Sequence, residues 1–172
     1  SETLVRALTA VREVTLASGA LFIVNDSAEA ARASGAGGVH LGQGDGPVKD
    51  ARAILGADAV IGVSTHNIDE ALRAVEDGAD YISFGPIFPT RTKKDANEPK
   101  GLAALRELAR RVPLPVVAIG GITERTAADA LRHGASAIAI ISDILLSGDM
   151  EAKAASIMNE TKGSTGWEKK KA

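Results

Sequence analysis

Gly78-Ala-Asp-Tyr-Ile-Ser-Phe-Gly85 is one of four copies of a phrase that decides how this chain folds. The others are Gly35-Ala-Gly-Gly-Val-His-Leu-Gly42, Gly56-Ala-Asp-Ala-Val-Ile-Gly-Val63 and Gly134-Ala-Ser-Ala-Ile-Ala-Ile-Ile141. Each places a Gly-Ala break after an Ala-rich amphipathic stretch and before a short apolar run. A continuous apolar run, rather than an alternating one, suits a strand covered on both faces. Helix, break, strand and polar loop, repeated in that order, predict α/β units on a parallel sheet. Two further runs, Ala20-Leu-Phe-Ile-Val24 and Pro115-Val-Val-Ala-Ile119, bring the expected strands to six: Leu21–Val24, Val39–Leu41, Val60–Val63, Tyr81–Phe84, Val116–Ile119 and Ala137–Ile141.

Helices are expected between them. Leu4, Leu8, Val11 and Leu16 recur at helical spacing over Ser1–Ser18, and Gly19 is placed to end that helix. Ser27 can cap a helix over Ala28–Ser34. Later helices are expected near Val48–Leu55, Ile68–Glu76, Leu102–Arg111, Glu124–Arg132 and Met150–Met158. Residues 1–158 are read as one domain. Residues 159–172 are polar, end in Lys-Lys-Lys-Ala, and read as a frayed tail.

Composition sets outer limits. The 172 residues suffice for one domain with a sizeable core, and with aromatics at 3% that core must be aliphatic. A net charge of −2 with mixed signs gives no reason to expect nucleic acid or membrane binding. The chain has no cysteine, so thiol chemistry is excluded and a cytoplasmic location is compatible.

In parallel α/β proteins, ligands gather at the carboxyl ends of the strands. Here those ends carry Asn25-Asp26, Gly42-Gln-Gly-Asp45, Ser64-Thr-His66, the loop Pro86–Lys94, Gly120-Gly121 and Ser142-Asp143. The loop after Phe84 combines Thr90, Arg91, Thr92, Lys93 and Lys94, two hydroxyls and three cations suited to gripping phosphate. Asp26 and Asp45 end consecutive strands, a pairing that suits Mg²⁺ beside phosphate oxygens. Each could equally cap the helix that follows it. Gly120-Gly121 would let the backbone approach a ligand, and the helix starting near Thr123 could offer N–H groups to an anion. His66 could bond an anion, carry a proton or serve structurally. His40, inside a strand, reads as an interior residue.

Six phrases in order resemble the thiamine phosphate synthase family: Val24-Asn-Asp26, Gly38-Val-His-Leu-Gly-Gln-Gly-Asp45, Gly62-Val-Ser-Thr-His66, Phe84–Lys93, Ala118-Ile-Gly-Gly-Ile122 and Ala139-Ile-Ile-Ser142. The resemblance implies a TIM-type (β/α)8 barrel that joins a pyrimidine diphosphate to a thiazole phosphate and releases pyrophosphate. It implies Mg²⁺ on Asp26 and Asp45, with Asn25 beside the pyrimidine diphosphate. It puts Ser64 and Lys93 on the pyrophosphate, with Thr90, Thr92, Gly121, Ile141 and Ser142 around the thiazole phosphate. The implied mechanism is dissociative: pyrophosphate departs, then the neutral thiazole nitrogen attacks the pyrimidine cation, without a general base. Thiazole tautomerase chemistry and a non-catalytic phosphate-ligand-binding fragment are the alternatives.

The family's first two strands, the second bearing an Arg-x-Lys clamp, find no counterpart after Ser1. The expectation is therefore a partial barrel of six parallel strands. Its two open edges would invite another copy to pair, making a homo-oligomer, and its catalysis would be impaired.

Overall fold

The computed structural model describes residues 2–90, 92 and 98–164. Its elements alternate as the phrases predict: α1 (Glu2–Ser18), β1 (Ile23–Asn25), α2 (Ala28–Ser34), β2 (Gly38–Leu41), α3 (Val48–Leu55), β3 (Val60–Thr65), α4 (Ile68–Glu76), β4 (Tyr81–Phe84), α5 (Gly101–Arg111), β5 (Val116–Ile119), α6 (Glu124–Arg132), β6 (Ala137–Ala139), α7 (Ser142–Leu145) and α8 (Met150–Glu160). The strands succeed one another in the sheet in chain order. The pairings that fix register are parallel. Every crossover contains a helix, as parallel neighbours require.

Several expectations move at the edges. β3 runs on to Thr65, two residues past the expected Val63, so Ser64 and Thr65 belong to the strand. β2 and α5 each start one residue early, at Gly38 and Gly101. β1 begins at Ile23 rather than Leu21, because Leu21 is exposed and only the later residues pair with β2. β6 stops at Ala139, short of the expected Ile141. There the backbone of Ile141 turns to φ −115°, ψ −76° and starts the short helix α7, which the sequence reading lacked. α8 runs on to Glu160, so Asn159 and Glu160 form its last turn. Of the polar end, residues 165–172, with Trp167 among them, lie outside the described residues.

The chain divides into two compact units, one of Ser1–Ser64 with Arg73–Tyr81, the other of Thr65–Leu72 with Ile82–Ala172. In the first, β1 pairs with β2 (Val24 opposite Val39) and β2 with β3 (His40 opposite Gly62). Its core is aliphatic: Val24, Val39, Leu41, Ile61 and Val63 from the strands meet Ala31, Ala51 and Ala74 from the helices. Small alanines let the helices lie close to the sheet while Val and Ile fill the layer, the close packing an interior needs. Ser27 caps α2 by accepting from the Ala30 N–H (3.1 Å), and Gly35 ends it at φ +65°.

At the amino ends of the strands in this unit, Arg52 gathers the backbone. Its guanidinium donates to the carbonyls of Ala57 (3.2 Å), Ala59 and Gly78 (3.4 Å) and to the Asp80 carboxylate (2.7 Å). The same Asp80 oxygen accepts from the Ile61 N–H at 2.7 Å. A planar fork of donors is suited to tying several acceptors at once.

In the second unit β4 pairs with β5 (Ser83 opposite Val117) and β5 with β6 (Ala118 opposite Ile138). Ile82, Phe84, Ile87, Leu105, Leu108, Val116, Ala118, Ala127, Ala130 and Ile157 build its core. The fully buried Thr65 hydroxyl donates to the Ser83 carbonyl (2.9 Å), so a polar group inside that core is satisfied. α6 opens with a reciprocal cap between Thr123 and Thr126. Glu124 then accepts from Lys153 (2.7 Å) and Ser156 of α8, which fastens the last helix.

Candidate functional site

At the carboxyl ends of β1 to β3 the first unit assembles an interlocked set of side chains. Asp26 follows β1 in the left-handed region at φ +69°, a conformation that Asp tolerates better than most residues. Its N–H donates to the carbonyl of His40 on β2 (2.8 Å), and Asn25 Nδ2 donates to its carboxylate. Asp45, in the turn after β2, accepts from the Gly42 N–H at 2.7 Å. Neither acid caps the next helix: Ser27 does so for α2, and α3 starts from Pro47 without a side-chain cap. The capping alternative raised by the sequence thus drops away for both.

Ser64, near the end of β3, is reached twice from β2 and its loop. His40 Nε2 lies 2.9 Å from the Ser64 hydroxyl, and Gln43 Nε2 donates to the Ser64 carbonyl at 2.6 Å. His40 Nδ1 is in turn 2.9 Å from the Tyr81 hydroxyl. Burial pushes the His40 pKa down, against the pull of the Asp45 charge, and burial also raises that of the Tyr81 phenol. His40 and Tyr81 are therefore kept as a neutral imidazole and a protonated phenol near neutral pH.

Sequence reasoning missed His40, Tyr81 and Gln43 as parts of this rim. A signal was available in Gly62, a glycine inside a strand, which often marks a close approach by another group. A Cβ at Gly62 would collide with the Tyr81 ring, which passes over this position to reach His40.

In the second unit the rim is built from backbone and small hydroxyls. After β4, Ile87 N–H donates to the Ile119 carbonyl (2.9 Å) and Phe88 N–H to that of Gly120 (3.0 Å). Lys100 N–H returns to the Pro86 carbonyl (2.8 Å). Gly120 and Gly121 have φ +90° and +65°. A Cβ at Gly121 would collide with the carbonyls of Phe88 and Pro89, and one at Gly120 with Pro86. The glycine pair is thus required by the neighbouring loop, a packing reason beyond the close ligand approach that the sequence suggested.

Thr90 Oγ1 accepts from the Thr92 N–H (3.3 Å) and lies 3.3 Å from the Thr92 hydroxyl. Ile141 and Ser142 are exposed where β6 gives way to α7. Lys93, with Arg91 and Lys94, lies outside the described residues. The α6 terminus is already engaged, since its Glu124 N–H donates to the Asp143 carboxylate at 2.9 Å. His66 proves structural on one side: Glu70 accepts from its N–H (2.8 Å) and meets Nδ1 at 3.0 Å.

Mg²⁺ asks little of the protein: one or two carboxylates, with phosphate oxygens and water filling its octahedron. Asp26 and Asp45, at the ends of two paired strands, meet that requirement in number and chemistry. Among the described residues there is no cluster of three or more acids and imidazoles such as an all-protein metal site would show. That donor set suits a cation that arrives with, or is completed by, a phosphorylated ligand.

The comparisons agree with one another. The family described as thiamine monophosphate synthase matches residues 1–144. A thiamine-phosphate synthase of Chloroflexus aurantiacus is 49% identical over 144 residues, covering 84% of this chain and 66% of that protein. One from Methanoculleus marisnigri is 47% identical over 90% of this chain and 73% of its own length. The chain therefore spans about two thirds to three quarters of these relatives. Among solved structures, thiamine phosphate pyrophosphorylase from Pyrococcus furiosus superposes with a TM-score of 0.88 at 34% identity, over 96% of this chain and 79% of that one. A KDPGal structure, at 18% identity and TM-score 0.70, shares the fold alone. The six parallel strands are accordingly those of a partial TIM-type (β/α) barrel. A match over residues 1–144, joined by relatives nearly half identical across most of the chain, makes this protein a member of the thiamine monophosphate synthase family.

Proposed function

We propose that this chain carries thiamine phosphate synthase chemistry, joining a pyrimidine diphosphate to a thiazole phosphate with release of pyrophosphate, in the cytoplasm. The observation that carries this reading is the family match, together with the residues at the strand ends. The catalytic domain is taken as residues 1–158, with a tail from 159, although α8 overruns that boundary to Glu160.

Asp26 and Asp45 would hold Mg²⁺, which supplies positive charge to the departing diphosphate. Asn25, already bonded to Asp26, is placed in sequence to meet the pyrimidine diphosphate. Ser64 donates a hydrogen bond to the pyrophosphate, and Lys93 adds charge there. Thr90, Thr92, the Gly121 backbone, Ile141 and Ser142 would receive the thiazole phosphate. Donors aimed at oxygens where negative charge grows act on the barrier itself. The attacking thiazole nitrogen is neutral, so no residue need remove a proton from it.

The test is a coupling assay with both substrates and Mg²⁺, read by pyrophosphate release. Release above the uncatalysed background is expected, and Lys93→Ala should abolish it. Pyrophosphate binding without turnover would instead leave a phosphate-ligand binder. Isomerisation of a thiazole phosphate without coupling would favour the tautomerase alternative. β1 pairs only with β2 and β6 only with β5 among the described residues, which supports oligomer formation through open edges. Size-exclusion chromatography showing a monodisperse monomer would remove that part.

A further inference from the structure

We propose that Lys153 is a positioning residue for the thiazole-phosphate rim: by engaging the carboxylates of Glu124 and Asp143, it keeps two negative charges near Gly121 and Ser142 from repelling the phosphate of the ligand. The placement of that phosphate rests on the function proposed above. The ion cluster itself is read from the second unit alone.

The cluster joins the starts of two helices to a third. Glu124 is the first residue of α6, shortly after Gly121, and Asp143 follows Ser142 in α7. The Asp143 carboxylate accepts from the Glu124 N–H at 2.9 Å. Lys153 of α8 donates to the Glu124 carboxylate at 2.7 Å and lies 3.9 Å from that same Asp143 oxygen. Ser156, also on α8, donates to the other Glu124 oxygen. Each donor is a backbone amide, an ammonium or a hydroxyl that faces a carboxylate, so the direction of every bond is fixed.

These contacts also fix charge. The hydrogen bond from Lys153, then that from Ser156, hold the Glu124 carboxyl below its ordinary value, and the bond to Glu124 holds the Lys153 ammonium above its own. The neighbouring Arg125 charge favours ionised Glu124 and opposes Lys153. A phosphate monoester carries about −1.5 to −2 at pH 7. Adjacent residues have Cα atoms about 3.8 Å apart. A phosphate held by Ser142 is therefore within reach of the Asp143 charge at a screening length of about 8 Å. An acid on each flank of the rim opposes binding, and one ammonium shared by both offsets that opposition. Lys153 lies beyond residue 144, where the family match ends, so this role is one that the match does not assign.

The experiment measures, by calorimetry on the full chain, affinity for the thiazole phosphate and for Mg²⁺-pyrophosphate, at salt of about 0.01 M and about 1 M. In Lys153→Met, affinity for the thiazole phosphate should fall roughly twofold to tenfold at low salt, and the difference should shrink at high salt. Affinity for Mg²⁺-pyrophosphate should change less. Lys153→Arg should behave as the parent does. Adding Asp143→Asn to Lys153→Met should restore most of the loss, because Asn keeps an acceptor for the Glu124 N–H without the charge. Parent affinity in Lys153→Met, an equal loss for both ligands, or a loss that neither salt nor Asp143→Asn relieves overturns the inference, and Lys153 then only fastens α8. Asp143→Asn alone should bind the thiazole phosphate at least as tightly as the parent. Weaker binding overturns the inference even if Lys153→Met does not fold. A parent that binds the thiazole phosphate without coupling strikes the synthase reading alone, whereas one that does not bind it overturns the inference as well.

Discussion

The two units hold their strand ends by different means. In the first, side chains do the locking: Tyr81 to His40 and His40 to Ser64 across strands, Gln43 from the loop after β2 to the Ser64 backbone, and Asn25 to its neighbour Asp26. In the second, the strand ends are shaped by backbone hydrogen bonds between the loops after β4 and β5, and by glycines that leave no room for a side chain. A side-chain network fixes donors in direction, which suits a group that must change its bonding during a reaction. A backbone cradle fixes shape, which suits holding a phosphate that stays unchanged. Lys93 aside, the division follows the two roles proposed for the two substrates.

Substitutions can break this contrast in graded steps. The largest effect is expected from Asp45→Ala, which removes a carboxylate from the first unit. Coupling rate should fall by about 100-fold or more, as loss of one electrostatic contact to a developing charge does. An activity within a few-fold of the parent would remove Asp45 from the site. Gly121→Ala comes next. Its Cβ meets the Phe88 and Pro89 carbonyls at φ +65°, so the loop must shift. The strain should cost about 1–3 kcal/mol, and KM for the thiazole phosphate should rise more than that for the pyrimidine diphosphate. Equal changes in both would blur the division of roles.

Two smaller steps probe the scaffold. Asp80→Ala leaves the Ile61 N–H without its acceptor and should lower stability by about 1–3 kcal/mol in urea unfolding, with little change in KM. Ser27→Ala removes the α2 cap and should cost about 1 kcal/mol.

The smallest effect concerns acid. Burial alone would raise the Glu70 carboxyl, but the hydrogen bonds it accepts from the His66 N–H and ring and from Asn67 bring it below the ordinary value of 4.5. A carboxylate lowered on folding stabilises the protein above its unfolded value, and that contribution is lost as pH falls through the folded one. The stability gap between the parent and Glu70→Gln should therefore be present at neutral pH and close as the pH falls below the ordinary carboxyl value and through the lower folded one. A gap that widens on acidification would contradict this assignment.

Much of the scaffold was legible because one phrase repeats. Gly-Ala followed by apolar residues located the strands, since a buried parallel strand has little freedom of composition. The failures have local causes. Ile141 belongs to an apolar run, yet its backbone turns to open α7, and nothing in side-chain type announces that turn. His40 read as interior because its neighbours are Val39 and Leu41. Its ring is indeed half-buried, but its value lies in two contacts made 24 and 41 residues away along the chain. Such pairings are invisible to periodicity. Asp26 and Asp45 stand out by their place after a strand, and only coordinates could show that Ser27 caps α2 and that α3 starts without a side-chain cap.

Arg52 tethers the backbone ahead of β3 and β4, at the opposite ends of those strands from the reactive groups. Foundations and workshop are therefore physically apart in this unit. Evolution, or an engineer, can retune Asn25, Asp45 or Gln43 for a new ligand without loosening the clasp that keeps the strands in register.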